Sequence, residues 1–489
     1  MADKKTCAVI GSGIAGLAAA IRMANRGYAV SVFEANEAVG GKMGQINEQG
    51  YRFDTGPSVL TMPAYIDELF LLSQKNPRDY WNYNQLDPVF NYFFNDGTVI
   101  QSFHGKEKFA EEVASKTDDD AASIIKFLEG AETKFNITNE VFMQRSLHRP
   151  LNYLSMNTLK GILNFGKIEA FTSLNDSNRH RFKDYKTVRI FNRFASYNGS
   201  NPYEAPATLG IIPHFEMNMG TYFPEGGIYK IISSLQQLAE EIGVKFKMNT
   251  GVDEIIVEGN KAKGIITNEA KIDFDVVISN MDVYNTYHQL IPSAKKPTKT
   301  LNQERSSSVI VFYWGIKRKF DELRVHNLFY SDDDSLEYQK LFKEHSIANE
   351  ATVYVNVTSK KNASDAPEGC ENWFVMVNAP HIAGQSWDDL IASTRSNTID
   401  MLNKVLKTDL EPLVDYEKIL EPRILEKTGH SAFGSVFGNS SNSKFSAFLR
   451  HPNFSSRIKN LFFCGGTVHP GPSIPLSLLS AKIAVEMAD

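Results

Sequence analysis

The chain has 489 residues, 42% of them hydrophobic and 22% charged, which suits an ordinary globular protein of two or more domains with ample core. A net charge of −5 with no long Lys/Arg block excludes nucleic acid as the main partner. The three cysteines, Cys7, Cys370 and Cys464, match no metal or redox spacing, and the densest apolar run, Val309 to Ile316, is far shorter than the ~20 residues of a membrane-spanning helix.

The first predicted unit is strand, turn, helix, strand. Cys7 to Ile10 is a short apolar run that reads as a buried parallel strand. Gly11, Gly13 and Gly16 form a GxGxxG turn, and helical periodicity follows through Leu17, Ile21 and Ala24 until Asn25-Arg26-Gly27. Tyr28 to Phe33 reads as a second strand ending at Glu34. This pattern fits dinucleotide binding better than a signal peptide. Gly11 permits the tight turn, Gly13 lets backbone approach a pyrophosphate, and Gly16 lets the helix pack closely on the strand. The helix N-terminus attracts phosphate, and Glu34 is placed to accept from a ribose 2′-hydroxyl. Gly40-Gly41-Lys42 and the turn Tyr51 to Ser58 follow closely, which points to a cofactor longer than the first crossover can hold.

Further along, Asn95-Asp96-Gly97 predicts a hairpin between Tyr92–Phe94 and Val99–Ile100. The acidic runs Thr117 to Asp120 and Ser331 to Asp334 read as helix N-caps, not cation loops. Residues 150–171 place Leu and Phe among lysines. A core-facing helix and a membrane-surface helix both fit that pattern. Pro224 to Gly227 opens a helix whose Ile231, Leu235 and Leu238 share a face. A hairpin, Val252 to Ile266, and a buried strand, Phe274 to Asn280, come next. Nucleotide-domain pattern thus occupies residues 1–84, 220–285 and 459–489, with residues 85–219 and 286–458 forming an interleaved substrate and membrane-associating domain.

The stretches GSGIAGLAAA, FEA, GGK, FDTGPS, PEGG, VVISNMD and CGGTVHPGPSIPLSLLSAK together resemble the bacterial-type carotenoid desaturases, flavoproteins related in fold to amine oxidases. Within that group FNRFASYNGSNPYEAPATLG, HNLFYSDDD, VYVNVTSK and DAPEGCENWFVMVN look closest to 1-hydroxycarotenoid 3,4-desaturases. The resemblance implies an α/β fold with a Rossmann-like FAD-binding domain and an interleaved α+β substrate domain. It also implies FAD held by Gly11, Gly13, Ile14, Ala15, Gly16, Glu34, Ala35, Gly41, Lys42, Gly56, Pro57, Ser58, Val252, Gly465, Gly466, Ile474, Pro475 and Leu476. Pro472-Ser473 departs from the family, which carries Gly-x-Gly there, and so removes a flexible glycine.

The implied reaction takes a hydride from an allylic carbon to the flavin and a proton from its neighbour. No HExxH, facial triad or cysteine cluster is present, so no metal is expected. His469 and Glu225 are the candidates for proton acceptance or flavin polarisation. At ~0.8 kcal/mol per buried CH₂, a carotenoid leaves lipid only for another apolar site. A cytoplasmic protein at the inner face of the cell membrane is therefore expected. The alternatives are a phytoene desaturase or carotenoid isomerase, a flavin amine oxidase, and a non-catalytic prenyl or lipid carrier on the same fold.

Overall fold

The computed structural model describes residues 4–149, 165–268, 270–443, 446 and 449–488. Two sheets organise them. The first is a five-stranded parallel sheet in the order Leu461–Phe463, Val276–Ser279, Thr6–Ile10 (β1), Ala29–Phe33 (β2) and Lys245–Lys247. β1 sits at its centre, with Cys7 opposite both Val30 and Val276. Both faces of β1 are covered, which explains why its sequence is uniformly apolar and does not alternate. Cys7 and Val9 enter the core formed by Ile14–Asn25 (α1), Tyr229–Glu241 and Ile474–Glu486. Ala8 and Ile10 face a second cluster with Ile255, Ala262 and Ile265 of the antiparallel ribbon Glu254–Glu258, Lys261–Thr267 and Ala270–Asp273.

The second sheet has seven strands in the order Val414–Leu420, Ser308–Ile316, Glu371–Ala379, Val353–Asn356, His326–Phe329, Phe90–Phe93 and Val99–Ser102. Its pairings are antiparallel except that between His326–Phe329 and Phe90–Phe93. The apolar run at residue 309 is one of its inner strands. Ile310, Phe312 and Trp314 pack towards the helix Trp387–Leu406. Val311 and Tyr313 point to the opposite, aromatic cluster. The period of two thus gives this strand one face for the core and one for a cavity.

Local signals explain the helix starts. The Asp120 carboxylate accepts from Ser123 N at 2.8 Å, and that of Asp333 from Leu336 N at 3.0 Å. Both acidic runs therefore cap helices. Of the stretch 150–171, residues 150–164 lie outside the described residues. Phe165–Ile168 form one 3₁₀ turn and Phe171 is 76% exposed. No helix among the described residues is long and apolar enough to cross a membrane.

Candidate functional site

A cavity of about 800 Å³ runs between the two sheets. It begins where β2 ends. The Glu34 carboxylate is 5% exposed and accepts from Ser12 N at 2.8 Å and Ser12 Oγ at 2.6 Å through Oε2. Its Oε1 accepts from Asn36 N at 3.0 Å and Asn36 Nδ2 at 2.9 Å. Those four donors hold the carboxylate beside Ala35, Gly251 and Val252 at the cavity wall.

The next section is the glycine turn. Gly11 has φ +89°, in the region where a side chain is strained. A Cβ at Gly13 would meet Asn280 Oδ1 at 2.8 Å, and one at Gly41 would meet Gly13 Cα at 3.4 Å. Gly13 caps α1 without any side-chain hydrogen bond, so no side chain covers the start of this helix, and its Ile14 and Ala15 line the cavity. Gly16 lies outside the cavity lining, and a Cβ there would sit 2.1 Å from Gly11 O. Its task is close packing of α1 on the turn. Lys42 Nζ donates to Val436 O, and burial pushes the ammonium below its usual range against the opposing pull of Asp282.

The turn at 55–58 joins the two halves. Thr55 N donates to Gly44 O at 3.0 Å, and Tyr313 OH of the second sheet donates to Thr55 O at 3.2 Å. A Cβ at Gly56 would sit 2.3 Å from Lys42 O, so Pro57 and Ser58 are pressed to the cavity wall beside the glycine turn.

The terminal turn closes the opposite wall. Gly465 has φ +116°, and a Cβ there would meet Asn280 Nδ2 at 2.7 Å. Asn280 thus touches both glycine turns, and its Nδ2 also donates to Cys464 O at 3.1 Å. Ser473 takes φ 147°, a value suited to glycine, and its Oγ accepts from Leu476 N at 3.2 Å. The family's missing glycine is therefore replaced by a strained serine that caps the last helix. Ile474, Pro475 and Leu476 then line the cavity, and the rest of the helix is buried against α1.

Beyond these turns the cavity becomes an apolar chamber, lined by Phe90, Phe142, Ile212, Phe215, Val311, Leu328, Phe374 and Met376 among others. Two buried polar groups interrupt it. The Arg193 guanidinium pairs with Glu216 and donates to Tyr92 OH and Tyr197 OH, each at 2.8 Å. Tyr197 OH donates in turn to Glu216 Oε2 at 2.5 Å. Arg193 also lies over the rings of Phe90 and Phe194, at 4.5 and 4.3 Å. Further along, Arg189 donates to Ser331 Oγ at 3.0 Å, and Glu337 accepts from Thr352 N at 3.0 Å. Each arginine thus finds polar partners within the chamber wall, although Arg189 Nε and Arg193 Nε are buried without a hydrogen bond.

Gly11, Gly13, Ile14, Ala15, Glu34, Ala35, Gly41, Lys42, Gly56, Pro57, Ser58, Val252, Gly465, Gly466, Ile474, Pro475, Leu476 and His469 all line this one cavity. Glu225 does not. Its carboxylate is exposed and accepts from Asn84 Nδ2 at 3.1 Å. The Pro-Glu-Gly-Gly turn serves another acid: Asp54 accepts from Ile228 N and Tyr229 N, both at 2.9 Å, at the start of the following helix. Glu225 is thus withdrawn as a catalytic candidate. His469 is 3% exposed, and its Nε2–H donates to Arg145 O at 2.9 Å. Burial pushes its imidazole down to about 4 and keeps it neutral. That geometry ties the terminal turn to residue 145.

Ser12, Asn280, Arg193, Glu216 and Tyr354 were not singled out by sequence. Asn280, a lone amide closing an apolar strand, carried a usable signal. Ser12 occupies a position that the glycine pattern leaves free.

The residues fit an FAD. The nucleotide end, the open helix N-terminus and a second pair of glycine turns share one elongated cavity, and its cradle is one that Cβ atoms would fill. Comparison with known proteins agrees. The model for flavin-containing amine oxidoreductases matches residues 14–487. The chain is 44% identical over 483 residues to 1-hydroxycarotenoid 3,4-desaturase of Flavobacterium sp., covering 99% of each. It is 30% identical over 489 residues to 4,4'-diapolycopene oxygenase of Methylomonas sp, covering 98% of this chain and 97% of the relative. Among solved structures, an oxidoreductase from Methanosarcina mazei has TM-score 0.65 at 16% identity, covering 98% of this chain and 100% of that one. Cyclohexylamine oxidase from Brevibacterium oxydans has TM-score 0.62 at 13% identity, covering 99% of both chains. These two likenesses establish the fold alone. The cofactor is FAD, and the chain belongs to the flavin-containing amine oxidoreductases and, within them, to the bacterial-type carotenoid desaturases.

Proposed function

We propose that the protein desaturates the end of an acyclic carotenoid that carries a hydroxyl at C1, forming a C=C bond between C3 and C4. The observation that carries this reading is the 44% identity to a 1-hydroxycarotenoid 3,4-desaturase over 99% of both chains. The apolar chamber that continues from the glycine turns supports it, because a long hydrocarbon needs such a path.

The reaction removes a hydride and a proton from adjacent carbons. Bound FAD supplies the hydride acceptor. Gly11, Gly13 and the α1 N-terminus hold its pyrophosphate, Glu34 its adenosine ribose, and Gly56 to Ser58 with Gly465 and Gly466 confine its redox end. The chain's other contribution is a water-poor channel that aligns the polyene and shields a developing cation. Arg193, neutralised by Glu216, presents no bare positive charge to that cation. The polyene delocalises the cation, so the departing proton needs no strong base.

Expression in carotenoid-producing cells with and without a 1-hydroxylated intermediate tests the reading. A red-shifted pigment only with the hydroxylated precursor is expected. Conversion of phytoene, isomerisation without desaturation, or a terminally oxygenated product would overturn it.

We also propose that the protein takes its substrate from the cytoplasmic face of the membrane, with residues 150–171 as the contact, since a carotenoid stays in lipid. Leu159→Glu combined with Ile162→Glu is expected to abolish liposome flotation while FAD stays bound. Unchanged flotation would contradict it.

A further inference from the structure

The C1 hydroxyl sets a distance constraint, given the proposed substrate. Its oxygen is four bonds from C4, so with C–C bonds of about 1.5 Å it lies within about 5 Å of the bond being oxidised. Whatever recognises it must therefore sit beside the redox end of the cofactor. Arg189 donates to Ser331 Oγ and Glu337 accepts from Thr352 N, while Arg193 and Glu216 are paired with each other. Ser58 lines the cavity on the turn whose Gly56 is pressed against Lys42 O, the turn proposed above to confine the redox end.

The hydrogen bonds behind Ser58 have a fixed direction. Asn356 Nδ2 donates to Val325 O at 2.8 Å, which sets the amide's orientation, and the same Nδ2 donates to His326 Nδ1 at 3.2 Å. His326 is 1% exposed, and burial with the nearby Arg193 charge pushes its imidazole down to about 3, so it is neutral. Nδ1 is consequently an acceptor and the ring proton is on Nε2. Tyr354 OH, 2.7 Å from Nδ1, must donate to it. The 2.7 Å contact between Ser58 Oγ and Tyr354 OH then runs from serine to tyrosine. The serine proton is used, and the lone pairs of Oγ are left for the cavity.

We infer that Ser58 Oγ, oriented through Tyr354 and His326, is the acceptor for the substrate's C1 hydroxyl and the residue that distinguishes hydroxylated from non-hydroxylated carotenoid ends. Ser58 is a binding residue here. Tyr354 and His326 are positioning residues that act through it. The inference rests on the proposed substrate.

The test uses the FAD-loaded protein with a 1-hydroxylated acyclic carotenoid and its counterpart lacking only that hydroxyl. Two ratios between the substrates are read: kcat/KM, and Kd from the shift of polyene absorption on binding. Wild-type protein is expected to prefer the hydroxylated compound in both. One neutral hydrogen bond contributes about 0.5–1.5 kcal/mol, so Ser58→Ala should shrink the preference about 2–10-fold. Ser58→Thr, which keeps the hydroxyl, should restore it, and Tyr354→Phe should weaken it less than Ser58→Ala does. Ratios are insensitive to differences in FAD loading between variants. A Ser58→Ala protein with the full wild-type preference overturns the inference and leaves the substrate reading standing. A wild-type protein with no preference overturns both.

Discussion

Lowering the pH from 7 to 5 is expected to remove several kcal/mol of folding stability, and three buried histidines are the reason. His326, His451 and His469 are at most 3% exposed, and burial pushes their imidazoles down to about 3, about 4 and about 4. In the unfolded chain each titrates near 6.5. Above that value both states are neutral and the histidines contribute no pH dependence. Below it the unfolded chain binds protons that the folded one refuses, so stability falls as pH falls towards 4. Each imidazole costs up to about 1.4 kcal/mol per pH unit in that window, and a whole protein has only about 5–15 kcal/mol. Glu337 and Asp365, raised by burial, take up protons in the folded state and offset part of the loss at the acid end. Urea midpoints measured between pH 7.5 and 5 should fall steadily. A flat profile would show that these histidines are protonated, or exposed, in the native state.

Gly16→Val should yield a colourless protein. The added Cβ would stand 2.1 Å from Gly11 O and 3.0 Å from Asn280 Oδ1, and the first of these is backbone that cannot rotate away. α1 must move off the turn, which separates its first N–H groups, proposed above to hold the pyrophosphate, from Gly13 and Gly41. Gly130→Ala is the matching control. It lies in the helix Ala121–Thr138, with nothing within 4 Å of an added Cβ. It should keep stoichiometric flavin and gain a few tenths of a kcal/mol or more from helix propensity. The ratio of flavin to protein absorbance after purification decides the matter; a yellow Gly16→Val protein would refute the packing account.

What was legible in the sequence was local. The strand, glycine turn, helix and terminal acid all fall between Cys7 and Glu34, and each residue's task follows from its neighbours in the chain. The terminal turn was legible through the family pattern, and Ser473 marks the point where pattern and geometry part. The substrate chamber was not legible, because its partners are distant in sequence. Ser58 and Tyr354 are 296 positions apart. Arg193 lay within a stretch recognised only by resemblance, and nothing local said that Glu216 would neutralise it. Glu225 failed for the converse reason. It occupies a motif that is close to the cofactor domain, but the turn exists to bring backbone N–H groups to Asp54, which leaves the glutamate side chain pointing outwards.

The most direct measurement is a single anaerobic turnover. The purified yellow protein is mixed with a 1-hydroxylated acyclic carotenoid in detergent or liposomes, and flavin absorbance and product mass are followed together. The account predicts one oxidised flavin bleached per carotenoid converted, with a product lighter by two hydrogens and its hydroxyl intact. A product that forms without flavin bleaching, keeps all its hydrogens or gains oxygen would contradict it.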